Sequence, residues 1–461
     1  MSKVCIQGLG FVGSAMAVAV AMAENSRSEP IYEVVGVDLP TNSGLQRIAS
    51  LNNGVFPFPT SDGQLTKSLK KVINNGSFYA TVDESVYCDA DIIVVDIHLD
   101  IPFRNEEPVL EFKEFEQAMS VIGKNAKPGA LVVIETTVPP GTCRKIVRPI
   151  LTKELAVRSL PANSIFLAHS YERVMPGENY LNSIINFWRV FAADDEKSAD
   201  LCRNFLSDFI NVKKYPLTQL SSTLSSETAK VMENTYRAAN IAFVDEWTKY
   251  AEEVGVDLFE IIDAIKVRPT HSNIKFPGLG VGGYCLTKDP AFTPAAANQL
   301  LNKKDLHFPF AKLTIETNNS MPIHVFTKLK YLLNGNFEGT RILVCGISYR
   351  QNVGDTRYSP SETLIHQIRD EGSEVVVHDP YVKFWEQSGE YLLTELPSLE
   401  TFDAVVLCVQ HDEYVNLDYL GWLEGSSLIL LDANNILSRI NREAIRKLGI
   451  TVESVGRGDG L

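Results

Sequence analysis

The sequence predicts an α/β protein in which two doubly wound, parallel-sheet domains are joined by a helical middle. Three observations predict it. A strand-like run ends in Gly8-Leu9-Gly10-Phe11-Val12-Gly13 and opens a helix. Short runs rich in Val, Ile and Leu alternate with helical segments, once before residue 212 and again after residue 336. Between them lies one long segment whose apolar residues recur at steps of three and four. Alternating β and α elements favour a parallel sheet covered on both faces, and the step of three and four favours a helix.

Val4–Gln7 is read as the first strand, the alanine-dense Ser14–Glu24 as the following helix, and Tyr32–Val37 as a second strand ending in Asp38. Strand, G-x-G-x-x-G, helix, strand and acid, in that order, form the dinucleotide fingerprint. Glycines admit a pyrophosphate to the helix N-terminus and the acid takes ribose hydroxyls. The spacing from Gly13 to Asp38 is slightly long, which the polar insert Asn25–Pro30 accounts for. Asp38 favours NAD over NADP, because a 2′-phosphate would meet its negative charge. The cofactor set is Gly8, Gly10 and Gly13 with Phe11 and Val12 between them, and Asp38.

Further strands are expected at Ile92–Ile97, Leu131–Glu135 and Ile165–His169; the second runs into TTVPPGT and the third into SYERVMPG. Hydroxyls and charges at the C-terminal end of a parallel strand lie where such sheets bind ligands. The polar segment Val212–Ser226 breaks the pattern and sets a boundary. Beyond it a helix is expected over Ser226–Val254, with Ala229, Met232, Tyr236, Ala239, Phe243, Trp247, Tyr250 and Val254 as its apolar stripe. Lys230 and Asn234 stand at i and i+4 off that stripe and could serve one cleft. A second long helix, Phe310–Leu333, should be interrupted near Pro322. A second α/β unit follows, with strands at Arg341–Ile347, Glu374–His378, Ala404–Val409 and Leu428–Asp432, and a basic turn at Ser348–Pro360. One glycine, Gly346, stands where the first unit has three, which argues against a second dinucleotide site. The tail Gly456–Leu461 is read as mobile. The domains expected are 1–212, 213–335 and 336–461.

The segment richest in chemistry is PGLGVGGYCLTKDP, Pro277–Pro290. Gly278, Gly280, Gly282 and Gly283 are expected to let backbone pass close to a ligand. Cys285 follows them, with Lys288 and Asp289 supplying a cation and a carboxylate. A cysteine is a nucleophile only as a thiolate, which a cation and partial exposure favour. With the N-terminal fingerprint, this reads as redox chemistry through a covalent thiol adduct. The other six cysteines (Cys5, Cys88, Cys143, Cys202, Cys345, Cys408) are read as small buried hydrophobes.

Composition narrows the classes. A net charge of −14 over 461 residues argues against general nucleic-acid binding, which draws on phosphate neutralisation by Lys and Arg. No apolar run reaches the length of a membrane span. The start MSKVCIQGLG enters a strand pattern directly and lacks the order of a signal peptide, so a cytoplasmic location is expected. Seven scattered cysteines without C-x-x-C, and eight histidines without an H-x-x-x-H pair, argue against disulfides and against a metal site.

GLGFVG, TTVPPGT, YERVMPG, ETAKVMENTYRAANIAF, PGLGVGGYCLTKDP and GISYRQNVGDTRYSP, in this order and across essentially the whole chain, resemble the UDP-glucose/GDP-mannose dehydrogenase family. The resemblance implies two Rossmann-like domains, the second binding the UDP-sugar, joined by a helical central domain through which subunits dimerise. It implies oxidation of the C6 alcohol of a nucleotide sugar to a carboxylate with two NAD per turnover and no metal. It makes Cys285 the nucleophile, passing through a thiohemiacetal and a thioester. Lys230 and Asn234 would hold the substrate oxygen, Asp289 and Thr137 would position the hydrolytic water, and Glu172 would serve as acid and base. Arg350 would hold the diphosphate, where the family often has lysine, and Arg357 and Thr137 would reach the cofactor. Arg173 and Gly282 fall with the substrate residues, and Arg268 resembles the arginine that one subunit lends to its neighbour.

The chain also departs from the family pattern. Tyr284 stands where UDP-glucose enzymes have serine and UDP-N-acetylhexosamine enzymes have histidine, while YERVMPG resembles the N-acetylhexosamine group. Asp96-Ile97-His98-Leu99-Asp100 replaces a small, proline-containing turn, and His98 is read as a surface or hydrogen-bonded loop residue. Competing readings are a UDP-glucose 6-dehydrogenase, a two-electron dehydrogenase of the 3-hydroxyacid type, which needs neither Cys285 nor a third domain, and a non-catalytic nucleotide-sugar sensor.

Overall fold

The computed structural model describes residues 1–105 and 107–458, which form two compact units: Met1–Glu233 with Ala291–His307, and Asn234–Pro290 with Phe308–Leu461. The first unit is built on an eight-stranded sheet: β1 (Ser2–Gln7), β2 (Tyr32–Val37), β3 (Phe78–Thr81), β4 (Ile92–Val95), β5 (Leu131–Ile134), β6 (Phe166–His169), β7 (Val190–Ala193) and β8 (Thr218–Gln219). Their order is β8-β7-β6-β5-β4-β1-β2-β3. Every neighbouring pair is parallel except β6 with β7. The chain winds outward through β2 and β3 and returns to set β4 on the other flank of β1. A crevice for ligands therefore opens beyond the C-terminal ends of β1 and β4.

Helix α1 (Phe11–Ala21) begins three residues before the expected Ser14, with Gly10 as its cap. Gly13 to Ala21 are all buried, so small side chains are needed on every face of this helix. Strands β4 and β5 end earlier than expected. After Val95 the Asp96 N–H gives a last bond to Gln7 O at 2.8 Å, and the chain then turns. Strands β3, β7 and β8 were not expected; each is four residues or fewer, too short for periodicity to register.

In the second unit five parallel strands, β9 (Arg341–Cys345), β10 (Glu374–His378), β11 (Ala404–Leu407), β12 (Ile429–Asp432) and β13 (Thr451–Ser454), lie in the order β10-β9-β11-β12-β13. Trp385, Ile342, Val344 and Leu364 are among its fully buried side chains.

Two long helices complete the fold, α2 (Thr223–Val254) and α3 (Pro309–Leu332). The expected interruption of α3 does not occur. The helix runs through Pro322, whose ring is buried beside Gly280 in the cysteine loop. The stripe expected on α2 also behaves otherwise than a core stripe: Met232, Tyr236, Phe243, Trp247, Tyr250 and Val254 are exposed. The helix instead buries a face of small residues, including Ala238, Ala242 and Ala251, on which large side chains would not fit. The tail is not mobile over its described part. Gly458 N–H donates to Val256 O at 3.0 Å and Arg457 pairs with Asp257; residues 459–461 lie outside the described residues. No helix among the described residues is long and apolar enough to cross a membrane.

Candidate active site

In the first unit the turn after β1 is shaped by its glycines. Gly8 has φ +96°, and a Cβ there would lie 2.6 Å from Asp96 O. A Cβ on Gly13 would lie 1.9 Å from Gly8 O. These two glycines are required by the protein itself, and they bring the turn down onto the end of β4. Gly10 is different: a Cβ there would meet nothing within 4 Å, and no side chain caps the helix it begins. The N-terminus of α1 is thus left open, and its N–H groups and dipole fit a dinucleotide pyrophosphate. Asp38 is nearly buried; it accepts from Leu39 N–H at 2.8 Å and from Arg47 Nε at 2.8 Å. A carboxylate has lone pairs beyond those two bonds for ribose hydroxyls. His98 is exposed.

Around the C-terminal ends of β5 and β6, Lys230 Nζ donates to Glu172 O at 2.8 Å and lies 3.5 Å from Glu172 Oε1. Its ammonium also sits 5.4 Å from the centre of the Tyr171 ring. Lys230 is only 5% exposed, so its charge acts in a poorly solvated setting, where it is felt strongly. Thr137 is partly exposed just past β5, while the neighbouring Thr136 hydroxyl is committed to Val95 O and Ile97 O. Arg173, expected among the substrate residues, has its guanidinium on the Glu233 carboxylate at 2.8 to 3.0 Å. That charge is already paired within the unit.

Sequence reasoning missed Glu227. It stands three residues before Lys230 on α2, and its carboxylate accepts from Gly141 N–H at 2.6 Å and Cys143 N–H at 2.7 Å. Helix and TTVPPGT loop are fastened together by this residue. Burial pushes its carboxyl up to about 7. The sign that could have found it is its spacing to Lys230, which puts both on one helical face. His169, at the end of β6, is held neutral by burial and by Lys230, its pKa lowered to about 3; its Nδ1 pairs with Ser226 Oγ at 2.8 Å.

In the second unit Cys285 is exposed in the turn that leads into the helix Asp289–Ala295. Its carbonyl accepts from the Asp289 N–H at 2.9 Å, so the cysteine caps that helix. Behind it, Asp289 is fully buried, with Oδ2 taking Asn234 Nδ2 at 2.6 Å and Oδ1 taking Lys288 Nζ at 3.0 Å. The Lys288 ammonium lies 4.3 Å from the centre of the Tyr284 ring. The structure therefore gathers Cys285, Asp289 and Asn234 in one unit, and Glu172 and Lys230 in the other.

The loop glycines carry a correction. A Cβ on Gly282 would lie 2.6 Å from Tyr349 Cβ, one on Gly283 2.6 Å from the Tyr349 ring, and one on Gly278 2.7 Å from Asn434 Oδ1. They make room for the protein's own side chains, Tyr349 above all. Cys88 is a second correction: it is exposed, unlike the five buried thiols. It closes a single short turn, Glu84–Cys88, with no strand to bury it. Burial raises the Cys5, Cys202 and Cys408 thiols to about 12, so they stay protonated.

Arg357 forks onto Asp355, with Nε to Oδ1 at 2.9 Å and Nη2 to Oδ2 at 2.6 Å, and lies 5.7 Å from the Tyr284 ring centre. Arg350 is exposed beside a cleft lined also by Ser348, Tyr349, Gln410 and Asn434. The turn carrying Arg350 is anchored by residues that sequence reasoning passed over. Asp379 Oδ2 accepts from Ile347 N–H at 2.8 Å and Ser348 N–H at 3.1 Å, and His411 Nδ1 accepts from Asn352 N–H at 2.9 Å. Arg268 is exposed, just before the short turn Pro269–His271.

Comparison with known proteins finds three consecutive parts of the UDP-glucose/GDP-mannose dehydrogenase family: the NAD binding domain over residues 2–210, the central domain over 224–320 and the UDP binding domain over 343–439. A UDP-N-acetyl-D-mannosamine dehydrogenase of Methanocaldococcus jannaschii is 31% identical, over 99% of this chain and 97% of that protein. Among solved structures, that of UDP-D-ManNAc dehydrogenase from Pyrococcus horikoshii matches with a TM-score of 0.83 at 26% identity, over 99% of this chain and 100% of that one. An NDP-N-acetyl-D-galactosaminuronic acid dehydrogenase from Methanosarcina mazei matches with a TM-score of 0.78 at 27% identity, over 100% and 96%.

Proposed function

Since the chain belongs to the UDP-glucose/GDP-mannose dehydrogenase family and is an NAD-dependent nucleotide-sugar dehydrogenase, we propose that it oxidises the C6 alcohol of a UDP-N-acetylhexosamine to the uronate through a thioester on Cys285. One observation carries this reading: the exposed thiol stands at the head of a helix whose first residue, Asp289, is buried and held by both Lys288 and Asn234. A two-electron dehydrogenase has no use for such a thiol.

NAD, held by the Gly8–Gly13 turn and Asp38, would supply the hydride acceptor, one molecule for each of the two oxidations. Between them the Cys285 thiolate adds to the C6 aldehyde, whose oxygen takes a proton, and a thiohemiacetal results. After the second hydride leaves, that carbon is a thioester, and water cleaves it to the acid and the free thiol. Lys230 is assigned to the negative charge that develops on the C6 oxygen, a role suited to a poorly solvated ammonium. Asn234 assists as an amide donor. Asp289 and Thr137 orient the hydrolytic water, and Glu172 moves its proton. Arg350 binds the diphosphate in the Ser348–Asn434 cleft; Gly282 and Arg173 are assigned to shaping the loops around the substrate, and Arg357 to the cofactor. In this reading the three parts 1–212, 213–335 and 336–461 serve cofactor, catalysis with dimerisation, and UDP.

The acetamido sugar is favoured by YERVMPG and by relatives named for N-acetylmannosamine and N-acetylgalactosaminuronic acid. The test is a panel of UDP-N-acetylmannosamine, its gluco and galacto isomers, UDP-glucose and GDP-mannose with NAD, read by NADH formed per acid produced. Two NADH per acid, with an acetamido sugar turned over fastest, is the expected result. One NADH per sugar would return the two-electron reading, binding without NADH the sensor reading, and a preference for UDP-glucose would overturn the sugar.

We assign the exposed aromatic face of α2, with Tyr236, Phe243, Trp247 and Tyr250, to a second copy of the chain, since a contiguous apolar surface of this kind marks an interface. Arg268 would then be the arginine lent across it. Light scattering is expected to find a dimer that Trp247→Glu weakens; a monomeric wild type would refute the assignment. A cytoplasmic location accords with scattered cysteines that form no disulfide among the described residues and with NAD as oxidant.

A further inference from the structure

Two carboxyl groups without a part in the reaction above lie under the dinucleotide turn. Asp96 follows β4, directly beside the switch point, and a Cβ on Gly13 would stand 3.2 Å from its own Cβ. Glu135 follows β5, the next strand over. Val95 and Ile134 are paired across β4 and β5, so Asp96 and Glu135 are the next residues along the two neighbouring strands and stand side by side. Carboxylates do not hydrogen-bond each other unless one carries a proton. Arg189, 4% exposed, pairs with Glu135 Oε1. The remaining oxygens, Asp96 Oδ2 and Glu135 Oε2, are sealed from solvent and receive no N–H or O–H from the described residues. A proton shared by the two groups would supply the donor they lack.

The charges facing this pair come from every neighbouring element. Glu172 approaches from the loop after β6 and Arg189 from the segment before β7, and Lys230 of α2 is bound to Glu172. His169 at the end of β6 is neutral. Strand β1 contributes Gln7, and α1 contributes Met16, whose Sδ is 3.8 Å from Arg189 Nη2. With one shared proton the three carboxyls and two cations are electrically neutral; without it they carry one negative charge. Burial, then the Glu135 charge, raises the Asp96 carboxyl well above the usual carboxylate range.

We propose that Asp96 and Glu135 hold one proton between them at the dinucleotide crevice, and that binding of the oxidised, cationic nicotinamide dinucleotide expels it, so that Asp96 sets the preference for oxidised over reduced cofactor. Dinucleotides bind beyond the C-terminal strand ends at the switch point, which is where this pair stands. The oxidised nicotinamide ring carries a positive charge and the reduced ring does not. A nearby positive charge favours the ionised form of an acid, and by reciprocity the ionised pair favours the cation. Asp96 lies in the very segment that departs from the family pattern, so the device belongs to this chain's own residues. It depends on NAD binding alone and stands or falls independently of the sugar.

The experiment is titration calorimetry of NAD and of NADH binding to the full chain, in two buffers of different ionisation heat, from about pH 6 to pH 9. Wild type is expected to release part of a proton on binding NAD and none on binding NADH, and to bind NAD up to about tenfold more tightly as pH rises. In Asp96→Asn the amide donates to Glu135 at every pH and has no proton to lose, so release and pH dependence should both vanish. No proton release by wild type would overturn the proposal, as would equal release with NADH or undiminished release in the variant. The wild-type comparison decides even if the variant folds poorly.

Discussion

Cys285→Ser is expected to stop formation of the uronate, with acid production falling on the order of a thousandfold or more, while affinity for the UDP-sugar and the thermal midpoint stay close to wild type. The reason lies in what the side chain touches. Cys285 is exposed, so its sulfur contributes little to packing, and the capping bond of this loop uses its backbone carbonyl rather than its side chain. A serine hydroxyl at that point is almost wholly protonated at neutral pH and is a far weaker nucleophile than a thiolate. Stopped-flow traces should also lose the second NADH. A variant that still released two NADH per sugar at wild-type rate would remove the thiol from the reaction.

Lys230→Ala is expected to lower kcat by about a hundredfold to a thousandfold with little change in KM. An ammonium aimed at charge that appears only in the transition state affects the rate constant, whereas one that merely holds ground-state substrate affects KM. Lys230 also donates to Glu172 O, so the variant leaves a partly buried acceptor without its donor, at a cost of about 0.5–1.5 kcal/mol in stability. Denaturation of the variant separates this from catalysis. A loss confined to KM, or an unchanged kcat, would make Lys230 a structural tether of the Glu172 loop.

The parts legible in the sequence were those fixed by local rules. The turn Gly8 to Gly13, the run Tyr32–Val37 and the helix ending at Val254 follow from spacing and periodicity, and the structure reproduces them nearly residue for residue. The cysteine loop announced itself by composition, but the purpose of its glycines did not. Tyr349 is more than sixty residues away, and nothing local says that its ring will fill the space above Gly282 and Gly283. The stripe on α2 was legible as apolar, but not the side on which it would be covered. Periodicity reports that a face avoids water, and a second chain can cover it as well as a core can. Glu227, Asp379 and His411 escaped notice for a single reason. Each acts through a bond to a residue distant in sequence, and a lone Asp, Glu or His reads as a solvated surface group until the fold brings its partner.

The most direct measurement is the peptide mass spectrum of Glu172→Gln enzyme quenched during turnover with NAD and the UDP-acetamido sugar, when loss of the base should slow hydrolysis. The account expects the mass of the oxidised nucleotide sugar on the peptide carrying Cys285. An adduct on Cys88 or any other thiol, or acid formed with Cys285 unmodified throughout, would contradict it.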